Sequence, residues 1–280
     1  MAGDAPVEGD AVRGRVAWRV VALALFLVFM LVPLLATVLF SVSTRWDRTI
    51  WPEGLTLRWW QAVTARPAFQ DTLLNSLAVA AATVAVSVAL VTPTAYWAHL
   101  GAPKAKPWIE FLAIVPFGLP GVVLALGLIR FYSGVPLPLI NTPAILVAAY
   151  VVLTLPFMYR PLVNALEAVD ARTLTEAAQS LGAGRWQTLV RAILPNILPG
   201  VVNGSLLVFS TVFAEFTLAN LLVGTRFKTF PIYLVEFTRF DARQASALAV
   251  ISFVVAWLAS VLIIWLAGRG DRPRETLAAR

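Results

Sequence analysis

VNALEAVDARTLTEAAQSLGAGRWQTLVRAILPNILPGVV, residues 163–202, lies between two long apolar runs, and its reading decides the fold. Asp170 is placed to cap a helix whose first turn begins near Ala171, since a short acidic side chain there accepts a backbone N–H that has no partner within the helix. Alanine, leucine, glutamate and glutamine carry that helix through Leu181, and Gly182 is placed to end it. A second helix is expected from about Arg185 towards Ile193, with Pro195 and Pro199 marking the approach to the next apolar run. Leu174, Ala177, Ala178 and Leu181 recur at spacings of three and four and form an apolar stripe. A short helix–turn–helix with small residues on one side is suited to docking.

Working outward, six runs are long enough to span about 30 Å of hydrocarbon as helices. They are Val20–Thr44, Thr72–Leu100, Phe111–Ile129, Phe131–Tyr159, Ala192–Leu222 and Gln244–Gly268. The first follows Arg13, Arg15 and Arg19 but is longer than the apolar core of a signal peptide, about 7–15 residues, so it is read as a transmembrane helix. Composition agrees: 59% of the 280 residues are hydrophobic and 13% charged, with a mean hydropathy of +0.80. A soluble domain carries about 25% charged residues. That deficit leaves too little polar surface to coat a globule, so lipid is the expected solvent. The expected fold is all-α and polytopic, with residues 1–19 as a cytoplasmic segment, 20–268 as a six-helix transmembrane domain and 269–280 as a cytoplasmic tail. The connector at about 160–195 belongs to that domain.

Pro93, Pro116, Pro120, Pro156 and Pro199 fall in or near the runs and are expected to kink them. Trp18, Trp46, Trp97, Trp108 and Trp265 fit an aromatic belt, whereas Trp257 is expected to pack between helices. Three connectors, 45–71, 160–191 and 223–243, are too long for turns, while 101–106 and Gly134–Pro143 are short. With both termini cytoplasmic, that face carries thirteen of the 22 basic residues, among them Lys104, Lys106, Arg172 and Arg185. The bias favours N-in and C-in.

The net charge of +7 does not mark a nucleic-acid partner, because the basic residues are dispersed around apolar runs. Zero cysteines exclude disulfides and thiolate chemistry, and one histidine, His99, excludes a histidine metal cluster. Ser205 and His99 sit in no nucleophile motif, so an intramembrane enzyme is disfavoured. An ion-driven secondary transporter predicts internal repeats and paired broken segments, and no convincing pair is visible.

Glu176-Ala177-Ala178, then Gly182, then Leu194-Pro195 resembles the EAA motif of binding-protein-dependent ABC importer permeases. One departure is visible: the usual pattern has isoleucine two positions before the leucine, where Ala192 stands here and Ile193 follows. Asn75, in Asp71-Thr-Leu-Leu-Asn-Ser, opens the second run as in many such permeases. The likeness continues from Phe213 through Thr229-Phe230-Pro231 to Tyr233. It is nearest the polyamine, ferric iron, thiamine and phosphonate group, with sugar permeases of the same fold as the alternative. The resemblance implies a type I importer permease of the bacterial inner membrane. It implies that Glu176, Ala177, Ala178 and Gly182 belong to a coupling helix seated in an ATPase subunit. Further partners are a second permease, identical or homologous, and an extracytoplasmic substrate-binding protein docked on 45–71 and 223–243.

No G-x-x-x-x-G-K-[ST] segment is present, so no cofactor is expected on this chain and ATP is expected on the partner subunits. For the substrate pathway, Glu215 is the clearest intramembrane acid, and an acid at a helix centre costs about 3 kcal/mol unless it faces protein or water. It is read as attracting a cationic cargo such as a polyamine, as lying near the outer interface, or as locked in a structural hydrogen bond. Asn203 and Asn220 are weaker candidates in the same run. Tyr96 and His99 are expected at the membrane interface.

Overall fold

The computed structural model describes residues 8–134 and 139–268. The ends of the expected N-terminal segment and tail, residues 1–7 and 269–280, lie outside them. Among the described residues there is no sheet, only an isolated bridge between Ser43 and Leu55. Three helices are each long and apolar enough to cross a membrane: α1 (Glu8–Val42), α3 (Pro67–Gly101) and α13 (Ala242–Gly268). The count reaches six if each of three bent helix pairs is one crossing.

The bends fall where backbone donors are missing. α4 (Lys106–Ile114) continues as a 3-10 turn, Val115–Gly118, and then breaks by 98° before α5 (Gly121–Tyr132), with Pro120 at the junction. α6 (Pro143–Leu153) meets α7 (Leu155–Ala168) at 49°, with Pro156 in the first turn of α7. The helix Arg185–Asn196, here α9, meets α10 (Leu198–Ala214) at 77°, with Pro199 in the first turn of α10. Proline is tolerated in a first turn because its missing N–H has no partner there in any case. Pro93, by contrast, is carried inside α3 without a break.

The expected single runs Phe111–Ile129, Phe131–Tyr159 and Ala192–Leu222 are therefore not continuous helices. The last is interrupted twice, at Ile197 and again at Glu215, beyond which a six-residue helix, α11 (Thr217–Leu222), begins. Apolar composition is the same on both sides of these breaks, so hydropathy did not report them.

α10 is the central element and packs on α7, α3 and α13. Gly200 and Gly204 lie one turn apart where it meets α7. A Cβ on Gly200 would come within 2.7 Å of the Pro161 carbonyl oxygen, and one on Gly204 within 2.7 Å of Met158 Sδ. Small residues at this spacing let two membrane helices approach closely. α1 touches the chain mainly through α13 and α2 (Arg58–Thr64), and its most apolar stretch is left uncovered by the rest of the chain.

The two ends of the bundle differ. The near end gathers Gly101, Lys106 and Ala168 with α8 (Ala171–Ser180) and α9, and α13 finishes beside the start of α10. At the far end, α2, α12 (Phe230–Thr238) and the start of α13 enclose a second apolar cluster of Val63, Phe230, Tyr233, Phe237 and Leu248. Trp59 and Trp60, half-buried, donate their indole N–H groups to Ser43 O at 2.8 Å and Ser41 Oγ at 3.3 Å. The expected loops 45–71 and 223–243 thus contain a packed layer. Trp257, expected between helices, is instead 59% exposed on α13.

Candidate functional site

At the near end, α8 and α9 form the helix–turn–helix read from residues 163–202. Asp170 adopts φ 44° and caps α8, accepting Thr173 Oγ1 at 2.6 Å and Thr173 N at 3.5 Å. These bonds, the side-chain one foremost, hold its carboxyl below the usual aspartate range. At the other end Gly182 takes φ +84°, its N–H reaches Gln179 O at 2.9 Å, and Ala183 N–H reaches Ala178 O at 3.1 Å. This paired closure needs a left-handed residue, which glycine adopts without a Cβ clash. Gly184 N–H is taken by Gln187 Oε1 at 3.2 Å, starting α9. Thr188–Ile193 then forms a π-turn, a widening often found at functional sites. It buries Leu189 and Ile193 in the main core while α8 packs against it.

Glu176 and Ala177 are exposed, and Ala178 is half-buried. The buried residues of α8 are Ala171 and Thr175, so the apolar stripe divides: Leu174 and Ala178 lean inward while Ala177 and Leu181 point away. Leu181 is 90% exposed and Trp186 62%, which leaves two large apolar side chains flanking the glycine turn with nothing over them. An exposed polar helix with apolar knobs at its end is suited to contact with another macromolecule.

The surface is tied to the bundle through polar contacts that sequence reading missed. Tyr96 of α3 is 2% exposed, and its hydroxyl lies 3.0 Å from Thr175 Oγ1. Thr175 donates its single hydroxyl proton to Ala171 O at 2.6 Å, so Tyr96 must be the donor between the two. Nearby, Arg172 reaches Leu100 O at 3.4 Å and Lys106 pairs with Glu167 at 2.5 Å. A cleft of about 560 Å³ opens beside the Tyr96–Thr175 contact, edged by Trp97, Arg172, Glu176 and Arg185. Tyr96, expected at the interface, is a buried anchor instead. Its signal in the sequence was a phenol one turn before the end of a long helix, with a threonine inside the EAA helix to meet it.

The pathway candidates fall elsewhere. Glu215 ends α10 in an extended conformation (φ −76°, ψ 124°) and is half-buried. Its carboxylate accepts Leu218 N–H at 3.0 Å, Ala219 N–H at 3.2 Å and the Tyr150 hydroxyl of α6 at 2.9 Å. It therefore caps α11 and pins that helix to α6. Asn203 is exposed on α10 and shares a groove with Asn164 of α7, and Asn220 is exposed on α11. The three are not gathered in one pocket. Among the described residues no group of three or more His, Cys, Asp or Glu is placed to hold a metal ion.

The sequence matches the family described as binding-protein-dependent transport system inner membrane component over residues 92–272. The spermidine/putrescine transport system permease protein PotB of Salmonella typhimurium is 30% identical over 219 residues, 72% of this chain and 76% of that protein. The permease protein PhnV of Salmonella typhi, assigned to 2-aminoethylphosphonate transport, is 28% identical over 251 residues, 88% of this chain and 93% of that one. A chain from a bacterial ABC transporter that imports the acidic polysaccharide alginate aligns with a TM-score of 0.73, over 93% of this chain and 98% of that chain. At 14% identity that likeness shows the fold alone.

Proposed function

Because the chain belongs to the family of binding-protein-dependent transport system inner membrane components, we propose that α8, with the glycine turn after it, is the coupling helix through which an ATPase drives it. The chain is the transmembrane subunit of an ABC importer, a multi-pass membrane permease rather than an enzyme. One observation carries the coupling reading. Glu176 and Ala177 stand exposed beside Leu181 and Trp186 on a capped helix pair at one end of the bundle.

Several finer assignments follow. The near end faces the cytoplasm, as the basic residues Lys104, Lys106, Arg172 and Arg185 favour, and the family's description as an inner membrane component supports the bacterial inner membrane. ATP is bound by two ATPase subunits, whose closure moves α8 and switches the cavity between inward- and outward-facing states. A second permease, homologous or identical, supplies the other half of the path. A substrate-binding protein delivers cargo to the far end, where Trp51 stands 72% exposed.

For the cargo, the names of the two groups of relatives share one chemistry. Spermidine, putrescine and 2-aminoethylphosphonate all carry a primary amine. We assign this chain a small aliphatic amine, a polyamine first. Asn203 and Asn220 present their side chains outward along the path. Glu215 shapes it as the cap of α11 and meets cargo only when the Tyr150 bond opens.

Reconstitution of the permease with its ATPase, second permease and binding protein in proteoliposomes tests this. Labelled spermidine, putrescine or 2-aminoethylphosphonate is expected to accumulate only with ATP. Accumulation without any ATPase, or labelling of a cysteine placed at Glu176 from outside the cell, overturns the assignment.

A further inference from the structure

We infer that α3 is a strut carrying the movement of α8 to the far end of the molecule, held at the near end by Tyr96 and at the far end by Asn75 and Ser76. This rests on the coupling role proposed for α8 and adds the route by which its movement leaves. At the near end the Tyr96 hydroxyl donates to Thr175 Oγ1 across a buried contact of 3.0 Å, and Arg172 reaches the Leu100 carbonyl oxygen at 3.4 Å. At the far end Asn75 Nδ2 donates to Lys228 O at 3.0 Å, and Ser76 Oγ accepts the buried Phe230 N–H at 2.7 Å. Those two far-end acceptor and donor groups lie at the start of α12. The grips are about 30 Å apart along the helix axis, at 1.5 Å per residue.

Other routes from α8 to the far end are interrupted. Through α9 the path crosses a π-turn and the 77° bend into α10. Through α7 it crosses the 49° break at Thr154. α1 and α13 are long, but among the described residues α8 is hydrogen-bonded to neither, whereas Tyr96 and Leu100 of α3 are bonded to Thr175 and Arg172. α3 alone among the described helices is hydrogen-bonded to the coupling helix and reaches the far end as one helix. α3 lacks one backbone bond, at Pro93, but stays a single helix between its two ends, and a continuous helix transmits displacement that a bent junction absorbs.

The grips are in series, and that makes the inference testable. Distant, independent sites give additive effects. Two grips on one strut do not, because weakening either one limits what the other can transmit. The readout is ATP hydrolysed per cargo molecule imported by the full complex in proteoliposomes. Tyr96→Phe and Asn75→Ala are each expected to raise that ratio about fivefold, the weight of one neutral hydrogen bond. The double variant is expected to match the worse single. Tyr96→Phe leaves no buried donor unpaired, because Thr175 still donates to Ala171 O, so the melting temperature falls by no more than the loss of one neutral hydrogen bond. Thr175→Val combined with Tyr96→Phe removes both hydroxyls and should behave as Tyr96→Phe alone. Unchanged ratios, or a double variant whose loss is the product of the two singles, overturn the strut. ATP-independent import by the wild-type complex instead overturns the coupling reading beneath it.

Discussion

Two carboxylates open two short helices in this chain, and their surroundings set them apart. Asp170 caps α8 at the near end from an exposed position, using its neighbour Thr173 for both bonds. Glu215 caps α11 from a half-buried position, and adds a hydroxyl from a different helix, Tyr150 of α6. The first is a local device, complete within four residues. The second joins three elements, since α10 ends on it, α11 starts on it and α6 is bonded to it. The same chemical group therefore has a local effect in one place and a tertiary one in the other. The difference lies in whether water is available to replace a lost partner.

The largest test of this contrast is Glu215→Leu. Leucine leaves the Leu218 and Ala219 N–H groups and the buried Tyr150 hydroxyl without their acceptor. Each unsatisfied buried group costs about 1–3 kcal/mol, so the total is about 3 kcal/mol or more. The melting temperature of the purified permease in detergent should drop clearly. Glu215→Gln keeps one acceptor oxygen and should recover much of the loss. A leucine variant as stable as wild type would show that α11 does not depend on its cap.

Gly182→Val probes the other boundary of α8. A β-branched residue held at φ +84° is strained by about 1–2 kcal/mol. No heavy atom lies within 4 Å of the position a Cβ would take, so the strain is conformational rather than a clash. The turn between α8 and α9 should shift while the bundle stays folded. Reconstituted complex is then expected to hydrolyse ATP with little cargo import, and normal import would separate the turn from coupling.

The smallest effect belongs to Asp170→Ala. Global melting should hardly move, because the side chain is exposed and water takes over its role. Amide hydrogen exchange in the first turn of α8 should speed up. Acid mimics the substitution in wild type. The carboxyl of Asp170 is held below its ordinary value in the folded chain, so its contribution is complete above the unfolded value of about 3.9. It fades as pH falls through the lower, folded value. A ratio of intrinsic to observed exchange in that turn that stays constant from neutral pH down to strongly acidic conditions would rule the cap out.

Legibility in the sequence followed the range of the interaction. The Asp170 cap, the helix to about Leu181, the Gly182 stop and the restart at Arg185 were all readable, because each depends on residues within one or two turns. Membrane insertion was readable too, since long apolar runs need no knowledge of their partners. The bends at Pro120, Pro156 and Pro199 were flagged by residue type, yet Pro93 carries the same flag and sits in an unbroken helix. Whether a proline bends a membrane helix depends on the helices beside it, and those are set by the fold.

By itself, the sequence determined an all-helical membrane protein and a capped helix pair that bears the EAA residues. Both follow from local backbone hydrogen bonding and from the transfer of apolar side chains out of water, effects that do not wait for distant contacts. Only the tertiary structure decided that Glu215 caps a new helix against Tyr150, that Tyr96 holds Thr175, and that Gly200 and Gly204 admit α7. These pairs are separated by 39 to 79 residues in the chain. No periodicity announces them, because a hydrogen bond or a close approach between helices exists only once packing has brought the partners together and excluded water from between them.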